Sequence, residues 1–386
     1  MLELGIDEIT AVLQYTGDKQ DMRKHGEWGK IAEDIIVTFA ENADLFSVFG
    51  DRIKEDRPPK GYDRAYTFGH HDFYFAMAYH SFYDNMGVVA KFSAQAWDYY
   101  CENTGLWAYS FLQSVKDDLY TVRLSRIDLT ADYIDEGLSV TSIHQNLKDN
   151  KIGVFREHTN EKTGEIFYKK IPFTYQGHFN EQYISTLYVG SSQSNSRLRI
   201  YDKRREQLER KGSKLDKAKK CHDWVRFEGV FRHDYAHQIT DELMAITNDD
   251  EYVNMIASIL ANKYRFMTVE NGVVDCETEY TQMLIDCVTN GNFALRAPSS
   301  RSYSIARSLR YLIHSSGLVS TLYKILKIWG KDAVSLVLEF FDEYVEKWVP
   351  NDDCRYWLCI NEKDHQLEYP DFKKFFYHCI ETMNDD

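Results

Sequence analysis

The stretch RLRIYDKRREQLERKGSKLDKAKK, residues 197–220, begins with the alternation of a β-strand and continues with the charged composition of a helix. Because strand side chains alternate between two faces, one face carries Arg197, Arg199, Tyr201 and Lys203. Three cations there can hold a phosphate, and they are expected to lower the tyrosine pKa from about 10 and favour a nucleophilic phenolate. The alternative is a solvated, charged strand face on which the tyrosine only fills space.

The same segment is the concentrated positive patch of an acidic chain. It holds eleven Lys or Arg against four Asp or Glu, whereas the 386-residue chain has a net charge of -14. This balance argues against a general nucleic-acid coat but permits binding through one basic groove. Aromatic residues make up 15% of the chain, and they supply stacking surfaces for unpaired bases as well as core.

Several classes of protein are not indicated by the sequence. No apolar run is long enough for a membrane span and no signal-peptide pattern is present, so a cytoplasmic protein without membrane contact is expected. Seven cysteines without a C-x-x-C pair suit reduced thiols. The sequence has no P-loop, no G-x-G-x-x-G and no H-x-H, which disfavours an NTPase, a dinucleotide enzyme and a two-histidine nicking site.

Patterning along the chain predicts an α+β protein whose antiparallel-sheet domain precedes a mostly helical domain. The predicted divisions are a helical element over 1–56, the sheet domain over 57–235, a helical domain over 236–349 and an acidic, aromatic segment over 350–386. The breaker DRPPKGY marks the entry to the sheet domain, and no helix-turn-helix pattern is found before it.

Acidic residues on two predicted strands form a candidate metal site. In RIDLTAD, residues 126–132, Asp128 and Asp132 share a face but lie about 13 Å apart along a straight strand, so both reach one ion only if the strand bends. In the strand containing Arg226-Phe-Glu228, Glu228 could join Asp128 around a hard divalent cation. The alternatives are a polar strand face and a surface Arg–Glu pair.

Taken in order, five segments resemble the Rep_trans family of rolling-circle plasmid replication initiators and related relaxases of Gram-positive integrative conjugative elements. The segments are GVVAKFSAQ (87–95), RIDLTAD (126–132), TLYVGSS (186–192), RLRIYDK (197–203) and VRFE (225–228). The tyrosine motif is the most specific of them. The resemblance implies a relaxase-like nicking domain, and an enzyme that cuts and rejoins a DNA strand with a catalytic tyrosine and a divalent metal, Mg²⁺ or Mn²⁺.

Residue by residue, the resemblance implies that Tyr201 is the nucleophile and that Lys203 and Arg199 hold the scissile phosphate. Asp128 and Glu228 match the acidic strand positions assigned to the metal, with Asp132 as a further ligand. The residues expected to contact DNA are Arg197, Arg204, Arg205 and Arg226. Many relaxases of the family carry an N-terminal helix-turn-helix, and its absence from this sequence leaves the mode of origin recognition open.

The implied reaction is nicking of one strand at an origin, single-stranded or in a hairpin, through a 5′-phosphotyrosyl intermediate. A separate helicase is expected to unwind the duplex. Two other functions stay open: a conjugative relaxase acting at a transfer origin, and a DNA-binding regulatory protein without turnover on the same fold. The target sequence, the identity of the metal, and the choice between monomer and homodimer are also open.

Overall fold

The centre of the fold, seen in a computed structural model, is an antiparallel sheet in which β1 (Leu2–Tyr15) lies between β5 (Val88–Phe92) and β6 (Tyr120–Ile134). The structure describes residues 1–159, 166–178, 183–288, 293, 295, 305–314, 316–350, 354–355, 358, 362–363, 365–367 and 369–381. The chain divides into two compact units, Met1–Pro298 and Ser299–Asp386.

Seven further strands complete the sheet: β2 (Arg52–Lys54), β3 (Arg64–Phe68), β4 (Phe75–Tyr79), β9 (Phe173–His178), β10 (Tyr183–Val189), β11 (Ser196–Asp202) and β12 (Trp224–Arg232). The ten strands run in the order β2-β3-β4-β5-β1-β6-β12-β11-β10-β9, and the neighbours pair antiparallel. The predicted α+β class with an antiparallel sheet is therefore confirmed.

A second sheet contains β7 (Ile152–Thr159), β8 (Ile166–Lys170), β13 (Arg265–Glu270) and β14 (Val273–Glu277), in the order β14-β13-β7-β8. The predicted hairpin of β7 and β8 is confirmed, although its turn lies outside the described residues. The hairpin of β13 and β14 was not predicted. Its signal is Asn271-Gly272, both at positive φ, a two-residue turn that suits the twist of paired strands.

The first unit contains eleven described α-helices: α1 (Lys19–His25), α2 (Trp28–Asn42), α3 (Leu45–Phe49), α4 (Ala94–Thr104), α5 (Ala108–Ser114), α6 (Val140–Lys148), α7 (Lys203–Arg210), α8 (Leu215–Lys220), α9 (Asp234–Ala245), α10 (Asp249–Lys263) and α11 (Glu279–Asp286). Ser93 caps α4 as predicted, because its Oγ accepts the Ala96 N–H at 3.4 Å. One face of the sheet is apolar, and Ile127 and Leu129 of β6 share the buried core with Phe39 of α2. The other face of the central strands is polar.

The second unit contains α12 (Ile305–His314), α13 (Leu318–Trp329), α14 (Lys331–Lys347) and α15 (Phe372–Glu381). A mostly helical C-terminal region was predicted and is confirmed. Among the helices that the structure describes, none combines the length and the apolar character needed to cross a membrane.

The prediction of a helical element over residues 1–56 is wrong for its first part. Helices do occupy residues 19–49, but β1 is a strand at the middle of the main sheet and β2 lies at its edge. The buried residues Ile9, Ala11 and Leu13 alternate along β1, which is the period of a strand and not of a helix. The division between the two units, after Pro298, coincides with none of the predicted boundaries at 56, 235 and 349.

Candidate active site

The polar face of the sheet brings most of the predicted site residues together. Arg226 of β12 lies opposite Asp132 of β6 on one side and opposite Tyr201 of β11 on the other. Glu228 lies two residues further along β12, opposite Arg199 of β11. Directly paired residues point to the same face of a sheet, so three neighbouring strands present these side chains side by side.

Tyr201 is held at the centre of this face by a carboxylate. Tyr201 is 7% exposed, and its hydroxyl donates a hydrogen bond of 3.0 Å to Glu228 Oε2. Arg199 Nη2 donates to the same oxygen at 2.8 Å. A tyrosine aimed at a carboxylate has a proton acceptor already in place, which is the arrangement that an oxygen nucleophile needs.

The expectation that the neighbouring cations lower the pKa of Tyr201 is wrong for this structure. Burial raises the pKa of Tyr201 well above its ordinary value, and the charge of Glu228 raises it further, while Arg226 opposes the rise. Burial is the main reason; in addition, the hydroxyl is hydrogen-bonded to a carboxylate, and Arg199 is itself paired with that carboxylate. Tyr201 is therefore kept as a neutral phenol until its proton is taken.

Asp128 lies on the same face, deep in a crowded charged cluster. Arg126 binds it twice, Nε to Oδ1 at 3.0 Å and Nη2 to Oδ2 at 2.6 Å, and binds Glu8 through Nη1 at 2.6 Å. Burial raises the pKa of Asp128 to about 8 despite the ion pair with Arg126, and the charges of Glu228 and Glu8 add to the rise. Like charges gathered in this way favour the arrival of a proton or another cation.

The residues present fit a divalent cation at one point of this cluster. Glu228 is 1% exposed, and its Oε1 atom has no hydrogen-bond partner among the described residues. Asp128, on the neighbouring strand, offers a second carboxylate, and oxygen ligands suit Mg²⁺ and Mn²⁺. The described residues contain no group of three or more His, Cys, Asp or Glu side chains that could hold a metal ion, so the fit depends on this pair.

Asp132 is held by an arginine in the same way as Asp128, but this arginine is buried. Arg226 Nε and Nη2 each bind one of its oxygens at 2.7 Å, and Arg226 Nη1 binds Asp7. Arg226 is 2% exposed, so this guanidinium lies within the sheet face and not at the surface expected of a DNA contact. The three residues form a buried ion cluster next to Tyr201, in which both oxygens of Asp132 already have partners.

Two of the predicted phosphate-binding cations flank the tyrosine ring. The Arg199 guanidinium lies 5.1 Å from the centroid of the Tyr201 ring, and Lys203 Nζ lies 5.6 Å from it. The strand ends at Asp202, so Lys203 is the first residue of α7 and not part of the strand face as predicted. There it pairs with Glu206 at 2.7 Å.

The other predicted DNA-contacting arginines have partners within the chain. Arg197 lies 4.0 Å above the ring of Tyr188 on β10. Arg204 Nε donates to two main-chain oxygens at the end of α8, Ala218 O at 3.1 Å and Cys221 O at 2.9 Å, and so braces α7 against α8. Arg205 Nε contacts Glu209 at 2.6 Å and lines, with Tyr201, a cavity of about 180 Å³.

Asp7 and Glu8 were missed by the sequence reasoning. They lie in a β-bulge of β1, where the register shifts between Ile6 and Ile9, so that two acidic residues face the single residue Asp128 of β6. The bulge directs both carboxylates to the polar face. The alternation that follows Ile9 was the available signal for the strand, but the bulge itself has no sequence signature here.

Comparisons with known proteins gave one structural neighbour and one family match. A solved structure of a rolling circle replication initiator protein from Geobacillus stearothermophilus is similar to this chain, with 16% identity and a TM-score of 0.49 over 74% of this chain and 97% of that one. No curated protein gives a significant match. The sequence model of the family described as replication initiation factor (Rep_trans) matches residues 122–340, more than half of the chain. That segment includes Asp128, Tyr201 and Glu228, whereas Asp7 and Glu8 lie outside it. Because the match covers more than half of the chain, the chain belongs to the replication initiation factor family.

Proposed function

We propose that this chain is a rolling-circle initiator that nicks one DNA strand at an origin and holds the cut end as a phosphotyrosyl ester of Tyr201. Membership of the replication initiation factor family supports DNA as the substrate. The observation that carries the proposal is the hydrogen bond from the Tyr201 hydroxyl to Glu228 Oε2 on the polar face of the sheet. It pairs a nucleophile with a base.

In the proposed reaction, the Tyr201 oxygen attacks the phosphorus of the scissile phosphodiester while Glu228 Oε2 takes the phenol proton. The bond from phosphorus to the 3′ oxygen breaks, and that oxygen takes up a proton from water to become a free 3′-OH, while Glu228 returns the phenol proton to water. The products are a 5′-phosphotyrosyl link and a primer end for synthesis. Rejoining is the reverse reaction, in which the 3′-OH attacks the phosphotyrosine, so the bond energy is conserved and no ATP is consumed.

The raised pKa of Tyr201 assigns a definite task to Glu228. Because burial keeps the phenol protonated, attack requires proton transfer to the carboxylate during the step and not a pre-formed phenolate. Arg199 bonds the accepting oxygen and is 39% exposed at its side chain, so it can also reach a phosphate at the surface of the site. Lys203 supplies a second, more buried cation beside the ring.

Asp128 and Glu228 are the residues that we propose to hold the divalent metal. When bound there, Mg²⁺ or Mn²⁺ would polarise the scissile phosphate and offset the charge that develops on its oxygens. Glu228 can take part with Oε1, which lacks a hydrogen-bond partner in the described structure, while Oε2 serves Tyr201. An arginine binds both oxygens of each aspartate, but Arg126 on Asp128 is 25% exposed at its side chain, whereas Arg226 on Asp132 is only 3% exposed. Asp132 is the weaker candidate because its arginine is buried and also binds Asp7.

Two partners complete the proposal. A separate helicase is needed to unwind the duplex, because strand transfer does not consume ATP and the sequence has no P-loop. A homodimer is the assembly we propose, since α13 and α14 leave large apolar side chains exposed, among them Ile328 and Leu336. Light scattering on the purified chain should then give twice the mass of the 45.4 kDa chain.

The nicking test uses a supercoiled plasmid that carries the origin region of the plasmid or mobile element that encodes this protein. The protein is added with Mg²⁺ or Mn²⁺, with or without EDTA, and the reaction is denatured with detergent before electrophoresis. We expect a metal-dependent relaxed product with protein covalently attached, lost in Tyr201→Phe. The matched control is Tyr188→Phe, which removes a hydroxyl from the neighbouring strand and should leave nicking intact.

The result that overturns the proposal is DNA binding without a nick on any cognate origin. That outcome would leave a DNA-binding regulatory protein on this fold. Nicking at a transfer origin but not at a replication origin would instead retain the chemistry and identify a conjugative relaxase.

A further inference from the structure

A cavity of about 400 Å³ opens beside the buried ion cluster of the active site. Its lining includes Asp7, Asp132 and Arg226, which are the three members of that cluster. Arg226 lies directly opposite Tyr201 on the next strand. The cavity therefore begins within about two strand spacings, roughly 10 Å, of the nucleophile. A cavity of this size is in the range that holds a small organic group.

Three aromatic side chains form part of the cavity wall. Trp97 of α4, Trp107 just before α5 and Tyr252 of α10 all line it. The Trp107 and Tyr252 rings lie 5.2 Å apart between centroids, and Trp107 is 42% exposed. Flat aromatic faces beside an opening are the surfaces on which unpaired nucleobases stack.

Hydrogen-bonding groups of both kinds face the same space. β5 pairs with β1 only from Ile9 to Leu13, so the preceding edge of β1 has no strand partner among the described residues. Residues 3–7 of that edge line the cavity and offer main-chain donors and acceptors. Glu102 lines it as well, and its exposed carboxylate has no partner within the described part of the chain. These groups can read the edge of a base.

The charge of the lining selects a base over a phosphate. Five carboxylates line the cavity (Glu3, Asp7, Asp98, Glu102 and Asp132) against the two cations Lys214 and Arg226. A phosphate would be repelled, whereas an exocyclic amino group would be attracted as a hydrogen-bond donor. The cations beside the Tyr201 ring, Arg199 at 5.1 Å and Lys203 at 5.6 Å from its centroid, lie outside this lining.

We propose that this cavity binds one unpaired nucleobase that carries an exocyclic amino group, from the strand whose scissile phosphate lies at Tyr201. The base stacks on Trp107 and donates its amino hydrogens to Glu102. The inference rests on the proposed nicking function, since that function places a single strand at Tyr201. It adds a means of selecting the nick position that does not require a helix-turn-helix.

The first test couples a protein change to a DNA change. Single-stranded oligonucleotides from the origin carry one abasic site at each position around the nick, and binding is measured for wild type and Trp107→Ala. One abasic position should weaken binding by wild type about tenfold and should have no further effect on Trp107→Ala. In Trp107→Phe the abasic position should again weaken binding. Trp329 is an exposed tryptophan of the other unit, and Trp329→Ala should respond to the abasic position as wild type does.

The second test does not depend on nicking. Octamers of dA, dC or dT are titrated against tryptophan fluorescence at fixed salt. We expect stronger quenching by dA and dC than by dT, reduced quenching in Trp107→Ala, and loss of the preference in Glu102→Gln. A preference for dT, or equal behaviour of wild type and Trp107→Ala in both tests, overturns the inference. Quenching by an extended peptide and not by the octamers also overturns it, since the open edge of β1 would then be a strand-docking site.

The two failures can be told apart. If nicking depends on Tyr201 but no abasic position loses its effect in Trp107→Ala, the base-pocket inference is wrong and the proposed function stands. If one abasic position does lose its effect on binding in Trp107→Ala but the protein never nicks, the base-pocket inference stands and the proposed function is wrong.

Discussion

The Tyr201 hydroxyl and the Glu228 carboxylate form a buried donor–acceptor pair, 3.0 Å apart, on adjacent strands of the central sheet. The accepting oxygen also receives Arg199, whereas the second oxygen of Glu228 has no hydrogen-bond partner in the described structure. One carboxylate therefore has an oxygen for the proton of the nucleophile and another for a cation. These two roles of Glu228, proton acceptor and cation ligand, can be tested by changing Glu228 alone.

We expect Glu228→Gln to reduce the rate of nicking by about 10²- to 10⁴-fold, the usual contribution of a positioned proton acceptor. The amide has nearly the same shape, so the fold and DNA binding should be retained. The measurement is the single-turnover rate of covalent complex formation as a function of pH and of Mn²⁺ concentration. If Glu228 takes the proton, saturating Mn²⁺ should not restore the rate.

Glu209→Gln is the matched control, because that glutamate lies on α7 in an exposed pair with Arg205 and lines the same small cavity as Tyr201. It should change the rate by less than about twofold, in line with the small energies of exposed ion pairs. Full recovery of Glu228→Gln at high Mn²⁺ would contradict the proton-acceptor role and leave a ligand role only.

A second prediction concerns the metal and compares two aspartates of one strand. We expect Asp128→Asn to weaken Mn²⁺ binding by at least about tenfold, since even outer-shell partners of a metal typically contribute about 10- to 100-fold. Asp132→Asn should weaken binding by less than about threefold, because the arginine that binds both oxygens of Asp132, Arg226, is buried, whereas Arg126 on Asp128 is partly exposed. Electron paramagnetic resonance of free Mn²⁺ measures the affinity directly and requires no DNA.

Equal weakening by the two substitutions would show that both aspartates bind the ion and that Arg226 releases Asp132 when the metal enters. No weakening by either would remove this strand from the metal site. A thermal melt of each variant in EDTA provides the control for folding.

Much of this site could be predicted from local patterns in the sequence. The strand over residues 119–133, the strand that leads into the basic helix, and the strand containing Glu228 each have an alternating apolar face that is buried on one core. That alternation determines which side chains share a face, so the sequence indicated that Asp128, Tyr201 and Glu228 lie on polar faces. The family resemblance was carried by the same segments and is confirmed.

The remaining features depend on how the strands pair with one another, which the residue pattern of a single strand does not reveal. In β1 the apolar alternation changes phase at the bulge, because Leu4 and Ile6 are followed by Ile9 and Ala11, and the strand period is hidden there. The partner of each arginine depends on strand register. Arg226 meets Asp132 only because the two positions are opposed across β6 and β12.

A third prediction follows from that opposition. We expect Arg226→Met to lower the free energy of unfolding by about 3 kcal/mol or more at pH 7, because it leaves Asp7 and Asp132 buried without their shared cation. Urea unfolding followed by fluorescence gives the difference. Arg210→Met is the matched control, since Arg210 forms an exposed pair with Glu206 at 3.4 Å, and its effect should stay below about 0.5 kcal/mol.

The pH dependence of that loss has a definite sign. Burial raises the pKa of Asp7, but the charges of Arg226, Lys203 and Lys214 together outweigh burial and hold the pKa below its usual value. The stabilisation from Asp7 is therefore present above the unfolded pKa of about 3.9 and is lost as the pH falls through the folded value. The difference in the free energy of unfolding between wild type and Arg226→Met should narrow below about pH 4. A gap that widens in acid would contradict the assigned charge state.

A fourth prediction concerns Lys263, at the end of α10 and away from the proposed chemistry. Its Nζ lies 3.5 Å from the centroid of the Tyr235 ring, and the residue is 5% exposed. Burial lowers the pKa of Lys263 to about 6, and the charge of Arg156 lowers it further. The folded protein therefore holds this lysine neutral at pH 7, whereas the unfolded chain holds it charged.

Replacing Lys263 with Met should consequently raise the free energy of unfolding by about 2 kcal/mol or more at pH 7, because Met fills the same space without a charge to neutralise. Between pH 6 and about 10.4 the unfolded wild type binds one more proton than the folded form, so wild-type stability rises with pH over that window. The advantage of Lys263→Met should be largest at pH 6 and should vanish near pH 10. Urea unfolding across this range measures it, with Lys220→Met at the exposed end of α8 as the pH-independent control. An advantage that stays constant with pH, or a variant less stable than wild type at pH 7, would mean that Lys263 is charged in the folded protein.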